Sequence, residues 1–246
     1  MKDAAPATAD ATATMLGSMV AVIPAKSFST RLPGKNMRPI LARNPMPLFE
    51  ISYRFALDEG VAAVVTTDAD GEVAKYCEAN GIHYVTENVR EERMEHAILN
   101  ALEKFPEAAG RSWVATLQPT SPIRTAGLIQ RCVEAMLEAG GKSLITTTPL
   151  RPILFHRGKP CFDPHARKIT QHTPKEDYYQ YWNGNVIITE IGFLREHFCL
   201  FDHDVHLHEI SKVEGYQIDD EADFVICKAL LEYQGNGAMH SPGWDE

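Results

Sequence analysis

The sequence predicts an α/β protein on an open, mostly parallel, Rossmann-like sheet. Short continuous apolar runs such as Met19–Ala25 recur, as strands buried on both faces require. They alternate with stretches at helical spacing, the pattern of parallel βαβ units. Glycine stop signals such as Asn80-Gly81 and Gly140-Gly141 punctuate the helical stretches. With 246 residues, 44% of them hydrophobic, the chain suits one domain with a sizeable core.

Residues 1–18 are largely Ala, Thr, Asp and Pro and lack the apolar centre of a secretory signal. They read as a disordered tail, with Met15 or Met19 as the start of the folded part. The domain, residues 19–233, opens on the strand Met19–Ala25. Pro47–Leu57 is helical through Leu48, Ile51, Phe55 and Leu57. Gly60 opens a strand over Val61–Thr67, and Asp68 ends it and caps a helix over Glu72–Ala79. A short strand at Ile82–Val85 leads to a helix near Glu92–Lys104. Ser112–Leu117 is a strand, Leu128–Ala139 a helix and Ser143–Thr147 a strand.

The pattern breaks after Pro149. Residues 150–180 are rich in Pro, His, Lys and Tyr, with turn signals at Arg157-Gly158 and Asp163-Pro164, and read as an inserted irregular or β arm. Strands return at Asn185–Thr189 and His206–Ile210. Strand-like Tyr216–Ile218 precedes a last helix, Glu221–Tyr233, and residues 234–246 read as a C-terminal tail. There is no internal repeat.

The formal net charge of −9 argues against non-specific nucleic-acid binding. No apolar run approaches the roughly 18 residues of a membrane helix. Cys77, Cys132, Cys161, Cys199 and Cys227 are an odd number, widely spaced, without a CxxC pair. Free thiols in the cytoplasm are expected, rather than disulfides or a zinc site. His206 and His208 share a strand face, but no third ligand accompanies them, so a surface strand is expected.

The informative stretch is VIPAKSFSTRLPGKN, residues 22–36. From Lys26 to Arg43 the chain carries Lys26, Arg31, Lys35, Arg38 and Arg43 and no acid, a local reversal of its overall sign. The run follows the first strand, at the sheet end where open α/β folds bind ligands. Ser, Thr and Gly there supply hydroxyls and backbone N–H groups for anionic oxygens. A polyphosphate is the natural ligand. The loop is neither a Walker A motif, since Ser29 and Asn36 occupy positions that need Gly and Ser/Thr, nor GxGxxG.

IPAKSFSTRLPGKN resembles the signature loop of CMP-sialic acid (acylneuraminate) synthetases, and its STRLPGK core is similar to CMP-Kdo synthetases. LQPTSPIR (117–124), NGNVIIT (183–189) and YQIDDEADF (216–224) resemble, in order, further segments of the sialic-acid branch. The resemblance covers about residues 19–232. It implies a nucleotide-diphospho-sugar transferase fold and a CTP-dependent, Mg²⁺-dependent cytidylyltransferase. The expected reaction moves CMP to the hydroxyl of an acidic, 2-keto-3-deoxy, nonulosonate-type sugar and releases pyrophosphate. A CMP-Kdo-like or smaller acidic acceptor is the alternative. A nucleotide-binding regulatory or scaffold protein without turnover is the alternative of another class.

The resemblance also implies roles. Lys26, which stands where the family has Arg, contacts the triphosphate, and Arg31 and Lys35 neutralise the leaving pyrophosphate. Ala25, Ser29, Gly34 and Asn36 complete the CTP-binding loop, and the Gln118 amide pairs with the pyrimidine edge. Arg124 either binds phosphate or caps the segment that follows. Asp219 is the metal ligand, with Gln217 where the branch has a second acid, and Asp220 is the cap of the last helix. Asn183 and Gly184 bind the acceptor. Lys175 receives its carboxylate, with His172 as a further cation, because the branch's Arg is absent there. In this family the arm commonly makes a homodimer.

Overall fold

The computed structural model describes residues 8–29, 31–41, 45–87, 93–150, 154–161 and 178–235. Its first element departs from the expected disordered tail over residues 1–18 at Ala9–Gly17; residues 1–7 lie outside the described residues. Helix α1 spans Ala9–Gly17, and the Thr8 hydroxyl caps it by accepting from the Ala11 N–H across 3.2 Å. Met15 anchors α1 in the main core beside strand β1, Met19–Pro24. A polar, Ala-rich composition concealed one well-placed hydrophobic anchor.

Helix α2 (Leu48–Asp58), strand β2 (Ala62–Asp68), helix α3 (Glu72–Asn80) and strand β3 (Tyr84–Glu87) follow. Then come α4 (Met94–Lys104), β4 (Trp113–Thr116), α5 (Leu128–Ala139) and β5 (Ser143–Leu150). The arm contributes a small hairpin, β6 (Phe155–His156) and β7 (Lys159–Pro160). Residues 162–177, with His172 and Lys175, lie outside the described residues. The chain re-enters as β8, Tyr179–Glu190, far longer than the strand expected at Asn185–Thr189 because its first half pairs with the end of β5. Helix α6 (Ile191–His197), which sequence spacing did not reveal, strand β9 (His206–Glu209) and helix α7 (Glu221–Gly235) complete the fold. Tyr216–Ile218 is not a strand, although the Ile218 N–H donates to the Thr120 carbonyl across 2.8 Å.

The sheet order is β3-β2-β1-β4-β8-β5-β9. Pairing is parallel except along β8, which runs antiparallel to both β4 and β5. β8 follows β5 in the chain and pairs with it in the opposite sense, which an antiparallel neighbour allows without a crossover. Alternate β1 residues enter opposite layers. Met19, Ala21 and Ile23 pack with α1, α2, α3 and α5, and Val20 and Val22 pack with α4 and α6. Each fully buried Leu, Ile or Val in these layers contributes about 1.5–3 kcal/mol of transfer free energy.

A third cluster holds Leu32 and Ile40 of the basic loop against Ile218, Phe224 and Cys227. The loop is thereby packed onto α7. All five cysteines are free, with Cys77, Cys132 and Cys227 fully buried. Among the described residues no helix is long and apolar enough to cross a membrane.

Candidate active site

Two contiguous clefts open at the C-terminal ends of β1, β3 and β4. The β1–β4 boundary is where the direction of strand order reverses, the position at which open α/β sheets bind ligands. The first cleft, about 500 Å³, is lined by Lys26, Arg31, Lys35, Asn36, Glu87 and Gln118, with Arg93, Met94 and Ala97 from the start of α4. The second, about 540 Å³, shares Arg31, Lys35, Gln118 and Thr120 and adds Gln180, Tyr181, Trp182, Gln217 and Asp219. Both volumes are of small-ligand size.

The basic loop is fixed at its root. The Ser27 N–H donates to the Asp68 carboxylate across 2.6 Å, and the Ser27 hydroxyl accepts from the Val73 N–H at 3.3 Å. Asp68 therefore does not cap α3 as expected; it orients Ser27, which reaches the α3 terminus in its place. A side chain at Gly71 would collide with both groups. Farther along, the Asn36 amide donates to the Lys26 carbonyl across 2.8 Å, which braces the loop while Asn36 also lines the first cleft.

Ala25 is buried and donates to the Thr66 carbonyl at 2.8 Å, and the Ser29 hydroxyl accepts from the Leu32 N–H at 3.4 Å. Gly34 adopts φ +66° before the turn Lys35–Met37. These three shape the loop rather than line a cleft. Arg38 leaves the cleft too. It pairs bidentately with Glu221 at 2.6 and 2.8 Å and lies 4.0 Å over the Phe224 ring. Arg43 lies outside the described residues.

The cleft cations are differently held. Lys26 Nζ stands 3.8 Å from the Glu87 carboxylate, whose side chain is only 4% exposed. Burial pushes the Glu87 carboxyl above its usual pKa range, and Lys26 opposes the shift. Arg31 pairs with Asp219 at 2.8 Å, both partners well exposed, so the pair adds little stability. Lys35 donates to the Ile218 carbonyl at 3.4 Å. Burial lowers its pKa, Asp219 raises it and Arg31 lowers it further.

Arg124 is a brace on other segments, neither a cap of the segment that follows nor a lining residue of either cleft. Its guanidinium donates to the Ser52 hydroxyl at 2.9 Å, the Gln118 carbonyl at 3.0 Å and the Asn185 carbonyl at 2.9 Å. Asn183 is fully buried and lines neither cleft. Its Oδ1 accepts from the Thr146 hydroxyl at 2.7 Å and the Asn185 N–H at 3.1 Å, so the oxygen expected to meet the acceptor braces the strand, and its Nδ2 has no partner among the described residues. The register shifts between Ile145 and Thr147 opposite this stretch, so Asn183–Val186 forms a bulge. Gly184, φ +63°, is its sharpest point and passes beneath Gln118 and Gln217.

Asp219 faces the second cleft. Asp220 caps α7 by accepting from the Asp223 N–H at 3.0 Å, and Asp223 accepts in return from the N–H groups of Asp219 and Asp220 at 2.9 and 3.2 Å. Among the described residues no three His, Cys, Asp or Glu side chains gather as a metal site. Glu87, Arg93 and Met94 are cleft residues that motif reading missed, since nothing in their spacing marks them.

The geometry can hold a polyphosphate against Lys26, Arg31 and Lys35, with a second molecule beside it. A family model described as Cytidylyltransferase matches residues 20–221. The chain belongs to the cytidylyltransferase family. The family match runs from β1 to the first residue of α7 and so includes every wall of both clefts.

Among curated relatives, the chain is 31% identical over 118 residues to a 3-deoxy-manno-octulosonate cytidylyltransferase of Rhodospirillum rubrum, 48% of this chain and 46% of that one. It is 32% identical over 137 residues to a CMP-N,N'-diacetyllegionaminic acid synthase of Legionella pneumophila, 54% of this chain and 58% of that one. The chain thus spans about half the length of the curated relatives it matches. Among solved structures, a CMP:2-keto-3-deoxy-manno-octonic acid synthetase complexed with CTP superimposes with TM-score 0.67 at 18% identity, covering 88% of this chain and 99% of that one. A 4-diphosphocytidyl-2C-methyl-D-erythritol synthase from Anaerococcus prevotii gives TM-score 0.62 at 14% identity, covering 89% and 99%. These two likenesses concern the fold, the nucleotide-diphospho-sugar transferase architecture.

Proposed function

We propose that this cytidylyltransferase-family chain transfers CMP from CTP to a hydroxyl of an acidic 2-keto-3-deoxy sugar and releases pyrophosphate. The observation that carries the reading is the convergence of Lys26, Arg31, Lys35 and Gln118 on two contiguous clefts of substrate size. The nucleotide takes the first cleft and the acceptor the second. The acceptor's hydroxyl oxygen bonds to the α-phosphorus, the bond from that phosphorus to the bridging oxygen breaks, and the hydroxyl proton passes to solvent.

Lys26, Arg31 and Lys35 hold the triphosphate and stabilise charge on the departing pyrophosphate. Gln118 meets the pyrimidine from its Nε2 end, which faces Met94 of the first cleft across 4.0 Å. Exposed Tyr181 and Trp182, the latter packed against Phe201 at 5.5 Å, wall the acceptor cleft. Lys175 and His172 remain the cations assigned to the acceptor's carboxylate on sequence grounds.

Mg²⁺ fits the donor set at Asp219, since it binds through one or two carboxylates together with substrate phosphates. When bound it supplies Lewis-acid neutralisation of phosphate charge. Asp219 would hold it, and Arg31, released from Asp219, would turn to a phosphate oxygen. The names of both curated relatives join a cytidylyl or CMP group to an acidic sugar, which supports this acceptor class. Exposed Leu150, Phe155 and Tyr179 on and beside the arm support a homodimer through it, and the free thiols support a cytoplasmic setting.

The test is pyrophosphate release from CTP and Mg²⁺ with a panel of keto-sugar acids, including 3-deoxy-manno-octulosonate and nonulosonates. Release with at least one acid is expected. CTP binding without release across the panel would favour the regulatory reading, and absence of CTP binding would sink both.

A further inference from the structure

Gln217 stands where the resemblance led us to expect a metal-binding acid. Its amide is oriented from one side. The Tyr181 hydroxyl donates to Gln217 Oε1 across 3.3 Å. With the oxygen engaged, the amide nitrogen is the end left to face inward, and an amide N–H₂ donates hydrogen bonds and does not ligate a metal. Gln217 Nε2 lies 2.5 Å from the point where a β-carbon on Gly184 would stand and Gln118 Oε1 lies closer still, so no atom fits at that point, but a group farther from the Gly184 backbone can reach both amides. The bulge at Gly184 leaves that point without a side chain. The two amides are not hydrogen-bonded to each other among the described residues. One presents a donor and the other an acceptor to the same small space.

A hydroxyl both donates and accepts, so it satisfies both amides at once. Gln118 lines both clefts, whereas Gln217 lines only the second. The space therefore lies where the two ligands meet. Thr120 reinforces the arrangement, its hydroxyl donating to Gln118 Oε1 at 3.5 Å.

We propose that Gln217 Nε2 and Gln118 Oε1 form a hydroxyl-binding notch over Gly184, and that it takes the acceptor hydroxyl facing the nucleotide. This deepens the proposed function and rests on it. Gln217 is then an acceptor-binding residue with no part in metal binding. Tyr181 is a positioning residue, since it sets which end of the Gln217 amide faces the notch.

The test compares wild type with Gln217→Met, which keeps length and loses the donor, and with Tyr181→Phe, which frees the amide to turn. Pyrophosphate release is measured with whichever keto-sugar acid of the panel the wild type uses, and CTP affinity by calorimetry without acceptor. Gln217→Met should lower kcat/KM for the acceptor about tenfold, as loss of one hydrogen bond to a bound ligand implies. Its CTP Kd should stay within about twofold of wild type and its apparent Mg²⁺ requirement should not move. Tyr181→Phe should show the same pattern at smaller size. Unchanged acceptor kinetics in Gln217→Met would overturn the notch while leaving the proposed function standing. Equal losses toward CTP and acceptor would also overturn it, because Gln217 would then merely support the cleft wall. Should Gln217→Met not fold, Tyr181→Phe decides alone by the same split. A wild type that uses no acid of the panel removes the proposed function and the notch's occupant together.

Discussion

Nη2 of Arg124 donates to the Gln118 carbonyl across 3.0 Å, and Nη1 of the same guanidinium donates to the Ser52 hydroxyl of α2 at 2.9 Å. Arg124 thus sets where the Gln118 amide stands between the clefts. Burial pulls its pKa down to about 9, so it keeps its charge at neutral pH. Its partners are carbonyls and a hydroxyl rather than a carboxylate. Arg124→Met should destabilise the fold by about 3 kcal/mol, because three buried partners lose their donor. CTP affinity should fall with it. Urea denaturation checks the first claim, and a loss below about 1 kcal/mol would show that the guanidinium braces little.

Lys35 gives a pH prediction. Its pKa is lowered chiefly by burial, with Asp219 opposing. The ammonium is therefore lost at a lower pH than in an ordinary lysine. CTP affinity should be fully present below that folded-state pKa and should fall as pH rises through it, before the usual lysine range. Asp219→Asn removes the group that raises the pKa, so the fall should move to still lower pH. Calorimetric titrations at a series of alkaline pH values would show it. An affinity that is level up to the ordinary lysine pKa contradicts the role of Lys35.

The α7 terminus separates metal from cap. Asp219→Asn should abolish turnover without changing stability, since the charged oxygen is lost and the backbone N–H bonds remain. Asp220→Asn should be mild in both, because Asn caps well. Asp223→Ala should cost about 1 kcal/mol and also impair turnover, because its carboxylate holds the Asp219 N–H at 2.9 Å. Thermal unfolding beside pyrophosphate release measures all three. Wild-type rates for Asp219→Asn at saturating Mg²⁺ would remove the metal assignment.

The thiols give a check independent of function. Burial pushes Cys77, Cys132 and Cys227 up to about 12. At pH 8 iodoacetamide should label exposed Cys161 and half-buried Cys199 in the native protein, and the other three only after unfolding. Mass spectrometry of labelled peptides reads this directly. Rapid native labelling of Cys132 would contradict the packing of α5.

Much of this protein is decided locally, and its sequence alone determines that part. The apolar run Met19–Pro24 reads as a strand covered on both faces, and the acid-free run from Lys26 onward must find its compensating charge in a ligand, in solvent or in distant acids. The alternation of periods determines the α/β class, and the order of LQPTSPIR, NGNVIIT and YQIDDEADF pointed to the family. What distant chain segments do to one another was left to the tertiary structure. The Asn36 amide donates to the Lys26 carbonyl and the Asn183 oxygen accepts from the Thr146 hydroxyl, contacts that no local pattern announces. Arg38 belongs to the basic run, but Glu221, far along the chain, takes it out of the cleft. Gln217 stands where the resemblance has a second acid, and the Tyr181 hydroxyl of β8, distant in sequence, donates to its Oε1. A side chain's chemistry is fixed by its type, but its partner is chosen by long-range packing, and only that choice decides which polar group meets a substrate and which one holds the fold.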